Sequence, residues 1–440
     1  MRVFVLCSLL LFAALQAAHA DDWPQWLGPE RDSVWREKGI VDRFPTNGLE
    51  VKWRVPVELG YSGPAVVDDR VFVFDYAKTS GTSTNNPGGR DKLEGKERVL
   101  CLSAATGKQL WKHQYDCSYN ISYPSGPRCT PTVDSGRVYT LGAEGNLYCL
   151  NTESGDVIWS KELKKEYKTE TPIWGFAAHP LVVGDLLYCV VGGQGSVAVA
   201  FDKKTGREVW RALSNNEPGY CPPTLIEHAG TKQLLIWHPK SLNALNPLTG
   251  DVHWSVDLAP SYGMSVTAPR KTGNYLFASG IGNIGALIEL GDTASSAEVK
   301  WRGNSKSAFY SCNSTPIIDG ELIYGNDCQT GMLIGARIED GKRVWETREP
   351  TSGGNRRASH GTAYLVKHED RYFIASETGD LILAELSPQG YKETSRFHML
   401  DPTNECFGRA VVWSHPAFAR RCVFARNDKE LVCINLAASK

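Results

Sequence analysis

The residues able to do chemistry recur at one kind of place in this 440-residue chain, just ahead of short β-rich runs that open on proline. His179 and His415 each immediately precede such a proline, and His360 stands close to the matching position of another unit. Imidazoles there could bind a metal or change protonation near neutral pH. Neighbouring openings carry aromatic and Arg side chains: Tyr61, Arg128, Trp174, Tyr220, Tyr262, Tyr310, Arg356, Arg357, Arg409 and Trp413. Clustered at a concave mouth, these residue types would make a binding site. Spread apart, they would only fill the places where strands begin. Other catalytic signals are missing: there is no phosphate-binding Gly-x-x-x-x-Gly-Lys, no His-Glu-x-x-His, no Gly-x-Ser-x-Gly and no Cys-x-x-Cys. Gly192, Gly193 and Gly195 join two β runs with no helix after them, which reads as a turn.

The elements that must hold these residues are repeats. ATGKQLW (105–111), ESGDVIW (153–159), KTGREVW (204–210), LTGDVHW (248–254) and EDGKRVW (339–345) share Gly-x-x-x-Trp. They place Trp111, Trp159, Trp210, Trp254 and Trp345 in equivalent strands; Trp301 ends a degenerate copy, and Trp53 sits in a similar strand near the start. The spacing is that of propeller blades, about 40 to 50 residues each. A proline with an aromatic eight residues later marks the inner strands, as in Pro64 and Phe72 or Pro131 and Tyr139, and counting both landmarks gives eight units. A proline costs no ladder bond at the first residue of a strand. Each unit reads as four strands with a Gly turn before the last. Ten residues before each Trp stands a small side chain, Cys101, Cys149, Ala200, Ala244 or Gly335, expected to let a neighbouring blade's Trp lie flat.

The expected fold is therefore all-β: a single eight-bladed propeller of four-stranded antiparallel blades over residues 49–440. The last unit supplies three strands, and residues 51–55 are expected to pair with 431–435, closing the ring and removing its open edges. Residues 21–48 form a lead-in expected to pack on the outside. Residues 1–20, with Arg2, an apolar run and Ala18-His19-Ala20, read as a signal peptide, so export to a periplasmic or extracellular compartment is expected. No later stretch is long and apolar enough to suggest a membrane span. A net charge of −1 gives no excess of cations for binding nucleic acid. In a ring of eight, His179 and His415 would face each other across a wide funnel, so no metal is expected.

Beyond Cys7 the chain has eleven cysteines, of which Cys101, Cys149 and Cys433 take the small packing position. Cys312 and Cys328 fall at the same end of adjacent strands, and a disulfide between them is expected in an oxidising compartment; Cys117 and Cys129 flank one loop and form a second candidate pair. An odd total leaves at least one thiol free or paired between chains.

The Gly-x-x-x-Trp strands, the small residue before each Trp and the closing N-terminal strand resemble the tryptophan-docking repeats of the pyrroloquinoline-quinone (PQQ) propeller superfamily over nearly the whole mature chain. Asp22-Trp23-Pro24-Gln25-Trp26-Leu27-Gly28-Pro29 resembles the opening of secreted PQQ-like repeat proteins of planctomycete-type bacteria. That superfamily contains quinoprotein dehydrogenases and cofactor-free propellers of the BamB type. The resemblance implies, for the former, adjacent disulfide-bonded cysteines against the quinone and a calcium held by Glu and Asn. No Cys-Cys dipeptide occurs here, and Glu217 and Glu405 read as loop carboxylates. The expectation is a non-catalytic propeller without cofactor that binds a protein, a peptide or an envelope glycan on the face bearing the 77–96 insertion. The alternative is a PQQ- and calcium-dependent oxidoreductase acting on a sugar or alcohol.

Overall fold

Proline at the entrance of all inner strands but one and glycine at most outer turns divide the chain into eight antiparallel four-stranded sheets. The computed structural model describes residues 21–282, 284–304, 306–354 and 356–438; the expected signal peptide, 1–20, lies outside them. Blades 1 to 8 open at Ala65–Val67, Thr132–Asp134, Leu181–Val183, Thr224–His228, Arg270–Thr272, Ile317–Asp319, Ala363–His368 and Ala417–Ala419. A proline directly precedes every one of these strands except the seventh. A five-residue helix, Leu163–Tyr167, follows blade 2. Blade 1 is enlarged by the long hairpin Arg70–Gly81 and Asp91–Ser103, to which Tyr119–Ile121 adds a strand.

The ring closes as the sequence suggests. Val51–Pro56 pairs antiparallel with Glu430–Asn435, placing Trp53 opposite Cys433. Trp53 thereby takes the outer-strand role that Trp111 and Trp159 fill in blades 1 and 2. Its indole N–H donates to Ala104 O of blade 1 at 2.9 Å. Trp111 donates in the same way to Thr152 O at 2.9 Å, Trp159 to Lys203 O at 3.1 Å, Trp210 to Pro247 O at 2.9 Å, Trp301 to Ile338 O at 3.1 Å and Trp345 to Ser387 O at 2.7 Å. Every acceptor lies in the next blade's outer turn.

The turn glycine is the surface on which the rings of Trp53, Trp111, Trp159, Trp210 and Trp301 rest. A Cβ added to Gly155 would stand 2.5 Å from the Trp111 ring, and one on Gly206 would stand 2.7 Å from Trp159. Their φ angles, +75° and +71°, would strain any side chain as well. The small residue ten positions before Trp has a different job from the one expected. Cys101, Cys149, Ala200, Ala244 and Gly335 are the cross-strand partners of the Trp of their own blade. The neighbouring blade's indole lies on the glycine.

Two blades depart from the pattern. Blade 5 has lost the glycine, and Trp254, with no such seat ahead of it, donates to Gln233 Oε1 within its own blade at 2.9 Å. Blade 7 has Ser395 where Trp would stand, opposite Leu383. There the Ser395 hydroxyl accepts the Phe44 amide of the lead-in at 3.1 Å, and Phe44 and Leu49 join the apolar cluster spanning blades 7, 8 and 1.

The lead-in does not pack on the outside; it crosses the end of the central channel. Trp23 forms a bridge with Val66 of blade 1, and Pro24 O accepts the Val133 amide of blade 2. Arg31 donates to Pro180 O of blade 3 at 2.9 Å, while its own carbonyl accepts from Arg270 of blade 5 at 2.8 Å. Ser33 and Trp35 exchange backbone hydrogen bonds with Lys367 of blade 7. These bonds satisfy polar groups at the ends of inner strands that would otherwise be buried without partners. Trp26 is driven to the axis, where it stacks on His179 at a centroid distance of 4.8 Å and donates through Nε1 to His415 Nε2 at 3.3 Å. Arg31 lies over the same indole at 5.3 Å, and desolvation lowers its pKa to about 9.

Three outcomes test this architecture. Trp111→Ala should destabilise the fold by about 3 to 5 kcal/mol in urea unfolding, as for other buried aromatic truncations; a change below about 1 kcal/mol would show that the indole does not hold the blades together. Removing residues 21–56 should open the ring and give aggregates by analytical ultracentrifugation, whereas a monomer that melts like the parent would refute closure. The third concerns acid. Burial holds His415 down to about 3 and His179 well below the usual imidazole value, so both stay neutral in the folded chain. Unfolded imidazoles take protons below about pH 6.5, so this contribution is complete above that value and is lost as pH falls toward the folded pKa. His415→Asn should flatten the acid limb of melting temperature against pH; an unchanged limb would show that His415 is protonated in the folded state.

Candidate functional site

On the side of the plug's histidines away from Trp26, the blade-opening loops surround a cavity of about 840 Å³. His179 and His415 form part of its wall, and the insertion reaches it with Pro87 and Gly88. Four hydrogen bonds hold that insertion. Asn85 donates to Glu405 O at 2.7 Å, Arg90 to Asn120 O at 2.7 Å and to Thr171 O at 2.9 Å, and Asn86 O accepts from Ser122 Oγ at 2.7 Å. The tip thus spans from the linker before blade 3 to the hairpin Asn404–Cys406 and Arg409–Val411 before blade 8.

Six of the ten residues picked out at strand openings converge on this cavity: Tyr61, Arg128, Trp174, Tyr220, Tyr262 and Trp413. They precede blades 1, 2, 3, 4, 5 and 8. Trp174 meets Tyr220 edge to face at 5.6 Å, and Arg128 lies over the Tyr61 ring at 5.1 Å. Arg128 is oriented by the carbonyls of Ser122, at 3.0 Å, and Tyr123, at 2.6 Å, and by Gly126 O, with no carboxylate among these partners. Tyr262, 78 % exposed, stands at the rim.

Tyr310 and Arg409 are not part of the wall. Tyr310 is buried with its hydroxyl on Asn304 O, and two residues later it is Cys312 that faces the cavity. Arg409 is drawn inward by the buried Glu377, which its Nε meets at 2.7 Å. Glu377 also accepts the Trp413 indole N–H at 3.3 Å, which sets that ring. Arg356 and Arg357 are likewise outside the lining; Arg357 donates to Gln329 O at 2.5 Å.

Sequence reading missed Tyr123, Tyr364 and Phe407. Tyr123 and Phe407 sit at turns with φ of +48° and +47°, and the Phe407-Gly408 pair was the local sign of a hairpin tip. His360 lines the wall with its Nδ1 2.8 Å from Cys312 Sγ and its ring stacked on Phe407 at 4.9 Å. Burial, aided by Arg409, lowers its pKa to about 4.

The cysteine expectations need correction. All eleven described cysteines are free thiols. Cys312 and Cys328 do come together in one apolar cluster, but unbridged. Cys117 and Cys129 are parted because Tyr119–Ile121 turns outward to pair with the insertion hairpin. Cys117 packs with Tyr76 and Tyr119, while Cys129 joins the cluster shared by blades 2 and 3.

Chemically the cavity is an apolar, aromatic chamber with one cation and few acids. Among the described residues no group of three His, Cys, Asp or Glu could hold a metal ion. A calcium needs six to eight oxygens, yet the lining offers the single carboxylate Glu217 and the amide Asn313, on the linkers before blades 4 and 6. Asn313 is already engaged, donating to Thr362 Oγ1 at 2.9 Å. Protein oxygens alone do not complete a calcium shell in this lining.

The comparisons with known proteins agree with this fold. The outer membrane protein assembly factor BamB of Shewanella oneidensis is 22% identical over 323 residues, covering 67% of this chain and 80% of that protein. The crystal structure of BamB from Moraxella catarrhalis superposes with a TM-score of 0.56 at 15% identity, covering 89% of this chain and 99% of that one. The quinohemoprotein alcohol dehydrogenase from Comamonas testosteroni shares the fold at a TM-score of 0.61 and 12% identity, over 95% of this chain and 81% of that one. Residues 95–347 and 241–440 match the family described as outer membrane protein assembly factor BamB. Within the PQQ-like propellers, the chain belongs to that family.

Proposed function

We propose that this is a non-catalytic docking propeller, exported to the periplasm, which receives a segment of another protein in the cavity on its insertion-bearing face. The observation that carries the reading is the convergence of Tyr61, Arg128, Trp174, Tyr220, Tyr262 and Trp413, from six blade openings, on one chamber. Aromatic rings held in place by a rigid ring lose little entropy on binding. Arg128, oriented by carbonyls only, favours an acidic group beside the apolar side chain that enters. The relatives support a protein occupant, since those sharing the family are named for outer membrane protein assembly. No described helix is long and apolar enough to cross a membrane.

At neutral pH the wall offers neutral histidines, and burial holds Tyr61, Tyr123, Tyr220, Tyr364 and the Cys312 thiol protonated. Such groups recognise a surface; they are not poised as an acid and base pair.

The test combines Trp174→Ala with Tyr262→Ala. Binding to a partner retained from an envelope extract should weaken by about 2 kcal/mol or more, roughly thirtyfold in Kd, with little change in melting temperature. Unchanged binding would remove the cavity from the reading. Capture of a glycan in place of protein would change the occupant. Dye-linked oxidation of an alcohol or sugar after adding PQQ and calcium would replace docking by catalysis.

A further inference from the structure

Cys312 is the one cysteine among the residues lining the cavity. Its Sγ lies 2.8 Å from His360 Nδ1, and Cys328 packs with it in the same buried cluster. The backbone locks the three together: Cys328 N–H donates to Tyr310 O at 2.8 Å, and Cys328 O accepts from His360 N–H at 2.7 Å. A thiol and a proton acceptor are thus held in the wall, with a second thiol packed against the first. A second close thiol pair, Cys422 and Cys433, lies in the cluster of blade 8 and the lead-in, away from the cavity.

We propose that Cys312 and Cys328 form a thiol–disulfide exchange site opening on the cavity, with a low-molecular-weight disulfide as the oxidant. The chamber has room for such a molecule. Cys312 Sγ bonds to one sulfur of the incoming disulfide as its proton passes through His360 Nδ1 to the sulfur that leaves as a free thiol. The Cys328 sulfur then bonds to that of Cys312, breaking the mixed disulfide, and the Cys328 proton goes to the departing sulfur, which leaves as the second thiol. One small disulfide is reduced to two thiols while two protein thiols are oxidised to one bridge, and no net charge remains.

That neutral balance suits a dry wall. Burial raises the Cys312 thiol and lowers His360 to about 4, so the resting pair is S–H···N and not thiolate with imidazolium. Bridging takes the thiol from His360, whose ring lies flat on Phe407 at the tip of the hairpin before blade 8. Oxidation would therefore alter the wall where this hairpin closes it.

The experiment incubates the full chain with oxidised glutathione near pH 8, alkylates the remaining thiols and maps the peptides without reduction. The expected result is a Cys312–Cys328 bridge, the other cysteines being alkylated only after unfolding. In Cys328→Ser, glutathione should stay on Cys312 as a mixed disulfide; in Cys312→Ser, Cys328 should take up none. His360→Gln should slow uptake and steepen its rise with pH, a readout that a packing role would not move. The proposal is overturned if Cys312 stays unmodified in the folded chain but reacts in guanidinium, or if Cys422 and Cys433 are oxidised first. Glutathione left on wild-type Cys312 without a bridge would also overturn it.

Discussion

The indole laid on the next blade's glycine is the contact from which the rest of the molecule follows. It combines a large apolar ring, a surface with no Cβ and one N–H that finds a carbonyl in the same turn, as Trp111 does over Gly155 with Thr152 O. Burial of each ring is worth several kcal/mol, and each contact joins consecutive blades, so the ring is a chain of nearly equal links. A chain of that kind is stable only when its ends meet. Trp53, carried by the first strand and docked on blade 1, makes the closing link.

Where a link is missing, other parts of the chain take its place. Blade 7 has no Trp, and the lead-in lays Phe44 and Leu49 against the junction of blades 7 and 8. Having been drawn across the axis, the same segment brings Trp26 and Arg31 to the channel end. There the two histidines must stay neutral, His415 because its Nε2 accepts the Trp26 N–H and both because charge would be stranded in a desolvated plug. The plug closes one end of the channel, and the opposite end keeps a chamber. Its wall comes from loops that a rigid ring holds apart, which is why aromatic side chains can stand around a void instead of collapsing into it.

The wall also shows why the same ring can serve relatives of different function. A quinone enzyme needs an oxygen shell for its metal, and here the loops present mainly rings, with one arginine, one carboxylate and one thiol. Function in this architecture lies in the blade-opening loops, while the Trp–Gly links are indifferent to it.

Much was legible in the sequence because blade formation is local. Gly and Trp four residues apart, proline before an inner strand and alternating β-runs each report on neighbours close along the chain, and from them follow the eight blades, their strand order and the closing strand 51–55. Six wall residues were legible too, since a residue at a strand opening must lie near the channel mouth. The remainder was decided only by the tertiary structure. Trp26 and His415 are 389 residues apart, and nothing local says that the lead-in crosses the axis. Tyr310 and Arg409 stand at openings like the others, yet Asn304 O claims one and the buried carboxylate of Glu377 the other. Which way a loop side chain turns depends on the partners waiting around it, and those partners are assembled only when distant blades meet.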